Sequence, residues 1–259
     1  MIQAQAQASR HADTRKIAWV TGVNQGIGAE IMQQLIAQNI YVVGFDLYTN
    51  NIVENDRYEV YQCDVRNSSQ ISNLCQKLLK TSVPDYFINA AGILHLGSHD
   101  ILSIEAWQQT FEVNTFAPFY FLKHLSPHFR VKRTGSIVMV SSNSAHASRI
   151  NMAAYGASKA ALSSFSKTVG LELAEYGVRV NIVSPGSTAT PMLHQLWKDE
   201  SGKQQTIHGS LTQYKVGIPL KKIALTEDIA NAVMFLISDQ ASHITMHDLV
   251  IDGGATLGQ

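Results

Sequence analysis

Three residues in one short segment have the types and spacing to move a proton to or from an alcohol. In VSSNSAHASRINMAAYGASK (140–159), Ser142, Tyr155 and Lys159 stand close together. Tyr155 and Lys159 are four apart in AAYGASKAALSSFSKTVGLEL (153–173), a run with helical apolar periodicity, so they share one helix face. An ammonium beside a phenol favours the phenolate and lowers a pKa that is ordinarily about 10. A Tyr tuned toward neutrality is a general base for an alcohol. Ser142 ends the apolar run SIVMVSS and is placed to hold the same oxygen by hydrogen bond. A Tyr-x-x-x-Lys pair alone is common on solvated helices, so the elements around it decide its meaning.

Those elements alternate between strand and helix. KIAWVTG (16–22) is a buried strand, and TGVNQGIG (21–28) leads from it into AEIMQQLIAQN, a helix with Ile27, Ile31, Leu35 and Ile36 on one side. A strand, a Gly-rich turn and a helix N-terminus together present backbone N–H groups to a phosphate. Gly22 allows the tight turn, Gly26 the approach of a pyrophosphate, and Gly28 close packing of helix on strand. IYVVGFD (40–46) ends in Asp46, 18 residues after Gly28. A carboxylate there either bonds the adenosine ribose hydroxyls, which favours NAD over NADP, or caps the next turn.

YEVYQCDV (58–65) is the third strand. Asp64 at its end either holds an adenine amino group or caps a helix over 68–80. DYFINAAGIL (85–94) is the fourth, with small residues at Asn89–Gly92 that leave room for a ligand. The stretch 101–129 reads as helix, interrupted at Pro118 and closing by Pro127. Asn114 lies within it as a polar group on an apolar stretch, bonded to a water or to Lys159. SIVMVSS is the fifth strand and GVRVNIVSPG (177–186) the sixth, followed by Thr188 and Thr190. The polar, irregular stretch 191–216 reads as a mobile substrate lid. A capping box from Thr226 opens a helix over 226–238, and LVIDGG (249–254) closes the sheet. The expected fold is a single doubly wound (Rossmann) domain over 16–259, with a seven-stranded parallel sheet and helices on both faces.

Composition narrows the function. The 259 residues bury a full core, with 45% hydrophobic and 15% charged residues. Twenty basic and twenty acidic residues balance to zero, and no basic run points to nucleic acid or an anionic membrane. No apolar run reaches a membrane span. Residues 1–15 lack an apolar core and read as a disordered tail rather than a signal peptide. Cys63 and Cys75 offer no disulfide framework, and a cytoplasmic location is the simplest reading. His243 and His247 lack the Glu of H-E-x-x-H, so no metal is expected.

Over essentially the whole chain from Lys16, these residues resemble the short-chain dehydrogenase/reductase family. The likeness rests on T-G-x-x-x-G-x-G at 21–28, Asp46, N-A-A-G at 89–92, Asn114, the Ser142/Tyr155/Lys159 set with its 13-residue Ser–Tyr spacing, and P-G-x-x-x-T at 185–190. It implies Tyr155 as acid/base, Lys159 lowering its pKa and holding the nicotinamide ribose, Ser142 on the reacting oxygen, and Asn114 supporting a proton-relay water. It implies NAD contacts at Gly22, Asn24, Gln25, Gly26, Ile27, Gly28, Asp46, Leu47, Asp64, Val65, Asn89, Ala90, Gly92, Tyr155, Lys159, Pro185, Gly186, Thr188 and Thr190. Longer strings, such as NAAGILHLGSHDILSIEAWQQTFEVN (89–114) and SPGSTATPM (184–192), are similar to the branch that oxidises a cyclic dihydrodiol carboxylate for catechol siderophores. That branch implies substrate contacts from Ser142 and Tyr155 and a cation for the carboxylate, with Arg149 as the candidate or else a surface or interface residue. Other readings are a 3-oxoacyl carrier-protein reductase or similar alcohol dehydrogenase, or a non-catalytic dinucleotide-binding regulator. The resemblance also implies a homotetramer built on helices around Asn114 and 155–176 and on the last strand. Contact with neighbouring siderophore-pathway enzymes stays open.

Overall fold

The computed structural model describes residues 15–49, 55–197 and 201–258, so nearly all of the expected N-terminal tail lies outside the described residues. Seven strands form one sheet: β1 (Ile17–Thr21), β2 (Tyr41–Asp46), β3 (Tyr58–Gln62), β4 (Tyr86–Asn89), β5 (Gly135–Val140), β6 (Val178–Pro185) and β7 (Asp248–Ile251). Their order is β3-β2-β1-β4-β5-β6-β7, and every pairing is parallel. The expected doubly wound sheet is present.

The strands are apolar on both faces because helices cover both faces. On β5, Ile137 and Met139 join one core cluster while Val138 and Val140 join the other. Helices α1 (Gly26–Ala37), α2 (Ser68–Leu78), α3 (Ile104–Phe111), α4 (Ala117–Lys132) and α5 (Ala153–Ala174) follow in chain order. After β6 come the single turn α6 (Pro191–His194), α7 (Ser201–His208) and α8 (Thr226–Ile237). Ile71 and Cys75 of α2, Phe121 of α4 and Leu162 of α5 pack on the first face. Ile31 and Leu35 of α1 and Val233 of α8 pack on the second. Among the described residues, no helix is long and apolar enough to cross a membrane.

Several local expectations are corrected. The stretch read as one helix over 101–129 is α3 and α4 joined by a π-turn, Glu112–Phe116, which contains Asn114. Pro118 sits in the first turn of α4, where a missing N–H is least costly. Pro127 does not end that helix, because Leu125 and Phe129 on either side are buried and hold it to the sheet as far as Lys132. Helix α2 is capped by Asn67, whose side chain accepts the Gln70 N–H, and not by Asp64. Helix α8 has half a capping box: the Asp228 carboxylate accepts the Leu225 N–H, and Thr226 is the first helical residue. Within the stretch expected as a lid, the described residues form α6, α7 and a 3₁₀ turn at Leu211–Gln213.

Candidate active site

Strand order reverses between β1 and β4, and the crevice beyond their C-terminal ends is where such sheets bind ligands. Thr21 ties the two ends together. Its hydroxyl donates to Asn89 Oδ1 (3.0 Å) and accepts the N–H groups of Ala90 (3.2 Å) and Ala91 (3.1 Å). Gly22 has φ +78°, and a Cβ there would lie 2.8 Å from the Ala91 nitrogen. A Cβ at Gly28 would lie 2.0 Å from the Gly22 oxygen, so this glycine lets α1 start flush against the turn. The N-terminus of α1 has no side-chain cap and no acid in its first turn. It therefore presents unclaimed N–H groups, the setting an anion needs. Asp46 braces the turn by accepting the N–H groups of Asn24 (2.9 Å) and Tyr48 (3.1 Å).

The groove fits a dinucleotide on a further count. Among the described residues, the buried side-chain atoms without a partner are Asn24 Oδ1 and Asn89 Nδ2. Both belong to segments bordering the crevice, and such orphans are costly unless a ligand or water meets them. Leu47 is 40% exposed beside Asp46. Asp64 is engaged by Arg66, whose Nη2 lies 2.7 Å from Oδ2, while Val65 packs into the core. Hydrogen bonds from Arg66 outweigh burial and hold the Asp64 carboxyl below its ordinary range.

At the other end of the crevice the proposed proton-handling residues meet. A cavity of about 430 Å³ is walled by Ser142, Tyr155 and Lys159, with Ile27, Ala90, Gly92, Pro185, Gly186, Thr188 and Thr190 beside them. Gly26 touches this region through Thr190, whose Cγ2 would sit 3.3 Å from a Cβ there. Thr190 caps α6, its hydroxyl accepting the Leu193 N–H. Gly22, Asn24, Gln25, Gly28, Asp46, Leu47, Asp64, Val65 and Asn89 stand outside the cavity wall, on the Gly-rich turn and the strand ends next to it.

Lys159 is 3% exposed and donates to the Val140 oxygen (2.9 Å), which fastens α5 to the end of β5. Its Nζ lies 5.9 Å from the Tyr155 ring centroid, as the four-residue spacing requires. Ser141 adds a second tie, donating to the Lys159 oxygen (3.1 Å). Ser142 is 6% exposed, and its hydroxyl accepts the Ser144 N–H (3.1 Å). Asn114 does not bond Lys159. Its amide oxygen accepts the Ile93 N–H (2.9 Å), and its amide nitrogen donates to the Ile93 oxygen and the Ser158 hydroxyl (3.0 Å each). The π-turn aims Asn114 at this spot, and Gly92 leaves the space: a Cβ there would sit 3.4 Å from both Asn114 Oδ1 and Lys159 Nζ.

The sequence led to a lowered Tyr155 pKa, and the structure gives the opposite direction. Burial pushes the phenol above its ordinary value, and the opposing hydrogen bond with Ser142 is smaller. Burial also pushes Lys159 down to about 8. A low-dielectric wall disfavours both charged forms.

Residues 22–256 match the family model described as Enoyl-(Acyl carrier protein) reductase. The chain belongs to the short-chain dehydrogenase/reductase family. It is 46% identical over 252 residues to 2,3-dihydro-2,3-dihydroxybenzoate dehydrogenase of Bacillus subtilis (strain 168), covering 94% of this chain and 97% of that one. It is 48% identical over 244 residues to the protein of the same name from Escherichia coli (strain K12), covering 94% and 98%. Among solved structures, 4-hydroxyisoleucine dehydrogenase complexed with NADH superposes with TM-score 0.87 at 31% identity, covering 95% of this chain and all of that one.

In this short-chain dehydrogenase/reductase, α6, α7 and the turn after them make one wall of the cavity. Leu193, Leu196, Trp197, Gln205, Lys215 and Val216 line it. Arg149, from the loop between Ser142 and Tyr155, lines it too. Lys215 and Asn143 are site residues that the sequence reading missed. Asn143 follows Ser142 directly and donates to Asp252 Oδ2 (3.2 Å), which joins the loop after β5 to the turn after β7. Adjacency to Ser142 was a usable signal for Asn143, whereas nothing in the polar run 191–216 singled out Lys215.

Proposed function

We propose that this protein oxidises 2,3-dihydro-2,3-dihydroxybenzoate to 2,3-dihydroxybenzoate with NAD, in the biosynthesis of a catechol siderophore. One observation carries the reading. Ser142, Tyr155 and Lys159 share a cavity wall that, among the described residues, contains the cations Arg149, Lys159 and Lys215 and no Asp or Glu. Leu94, Met152, Leu196 and Trp197 supply apolar surface for a ring. A small, ring-shaped alcohol bearing an anion suits such a wall, and the two dehydrogenases of that name at 46% and 48% identity support the substrate.

NAD, when bound, supplies the hydride acceptor. Tyr155, as the phenolate that the Lys159 cation stabilises, takes the ring hydroxyl proton on Oη and becomes the neutral phenol. Ser142 orients the reacting oxygen. Asn114 fixes the Ile93 backbone and Ser158 behind this set. The ketone formed tautomerises to the aromatic catechol acid, which draws the reaction forward. Asp46 at the end of β2 supports NAD over NADP, since a second anion beside it is repelled.

A homotetramer fits the exposed apolar residues on the α3–α5 side: Trp107, Phe116, Phe119 and Leu171 are between 41% and 68% exposed. A cytoplasmic site of action fits the two free, buried thiols. The test is a substrate comparison. The dihydrodiol acid with NAD should turn over at least about a hundred-fold faster, as kcat/KM, than a 3-oxoacyl thioester with NADPH, the scale on which a polar site rejects a wrong partner. The opposite ranking would overturn the assignment.

A further inference from the structure

The three cations among the described residues of the cavity wall are not alike. Lys159 spends a donor on the Val140 oxygen. Arg149 and Lys215 reach the cavity from separate segments, the loop after Ser142 and the wall formed by 191–216. Among the described residues, neither takes part in an ion pair. Burial pushes the Lys215 ammonium below its ordinary value, and Arg149 nearby pushes it the same way. Both half-buried cations line the cavity with Met152, Trp197 and Val216, and their like charges repel. An anion between them removes that penalty.

The backbone holds Lys215 in position. Ser210 and Lys215 exchange both backbone hydrogen bonds at 2.9 Å. Gly209 and Gly217, with φ +85° and +84°, let the flanking chain close, and a Cβ on Gly209 would lie 2.3 Å from the Lys215 oxygen. The lysine is therefore presented by a locked turn rather than by a free loop tip.

We infer that Arg149 and Lys215 form a two-point carboxylate subsite, and that Lys215 is a specificity-determining residue which makes the enzyme select a ring acid over its uncharged amide or ester. This inference rests on the reaction proposed above and adds Lys215 to it. Arg149 offers a planar fork to the carboxylate, while Lys215 adds a point charge from the facing segment.

The experiment is calorimetric binding to the NADH-saturated protein of 2,3-dihydroxybenzoate and of 2,3-dihydroxybenzamide. Lys215→Met and Arg149→Met should each weaken the acid by about ten-fold or more, the scale of a lost charged hydrogen bond. The amide should change by less than about two-fold, and Lys215→Arg should keep most of the affinity for the acid. An unchanged affinity of Lys215→Met for the acid would overturn the subsite. So would equal losses for acid and amide, which would mark a collapsed wall. Tight, cation-dependent binding of the acid by a protein that does not oxidise the dihydrodiol would sink the reaction and leave the subsite standing. Full turnover of the dihydrodiol by Lys215→Met with an unchanged KM would sink the subsite alone.

Discussion

Lys159 is the residue where function costs stability. Burial holds its pKa at about 8, below the ordinary 10.5. Between those values the unfolded chain binds more protons than the folded one, so the fold gains stability as pH rises through that window. Below about 8 the penalty for the buried ammonium is present in full. Lys159→Met keeps the packed stem and removes the charge. At pH 7 its unfolding free energy should exceed the wild type's by up to about 3 kcal/mol, the order of the shift. The gap should close as pH approaches 10.5. Activity should fall by at least about a hundred-fold, since the neighbouring base loses its counter-charge. Denaturant melts at pH 7 and pH 10 check the sign, and a variant less stable at pH 7 would contradict it. In the proposed reaction a phenolate at Tyr155, which burial disfavours, needs a cation beside it, and Lys159 is placed to supply one.

At the scale of elements, strand ends set the chemistry. Asp46 ends β2 and braces the Gly-rich turn through the Asn24 N–H. Asp46→Ser keeps a short acceptor for that N–H and removes the charge. The ratio of kcat/KM for NAD over NADP should fall by about ten-fold or more, the scale of one charged contact. Steady-state kinetics with both dinucleotides measure it, and an unchanged ratio would mean that Asp46 braces the turn without reading the ribose. The central strands β1, β2, β4, β5 and β6 were legible because each is an apolar run buried on both faces. The π-turn at Asn114 was not legible. It depends on bonds to Ile93 and Ser158, 21 and 44 residues away in the chain. Pro127 looked like a stop because the local rule is strong, and the burial of Leu125 and Phe129 overrode it.

At the scale of the molecule, the sheet gathers Gly22, Asp46, Asn89, Ser142 and Pro185 on one edge, and their places at the ends of apolar runs made that edge readable from the sequence. Two features of the site depend on the assembled fold instead. The direction of the Tyr155 shift comes from the depth of the cavity, which no spacing encodes. The place of Lys215 comes from a turn closed by Gly209 and Gly217 in a stretch without periodicity. The central claim is that this fold delivers a ring alcohol to Tyr155 and its hydride to NAD. The most direct measurement is NADH formation from NAD and 2,3-dihydro-2,3-dihydroxybenzoate, with product analysis and a Tyr155→Phe control. The account predicts one NADH per 2,3-dihydroxybenzoate formed and a rate lower by about a hundred-fold or more in the control, as expected for loss of a general base. Wild-type protein that binds NAD but forms no NADH, or a control as fast as wild type, would contradict it.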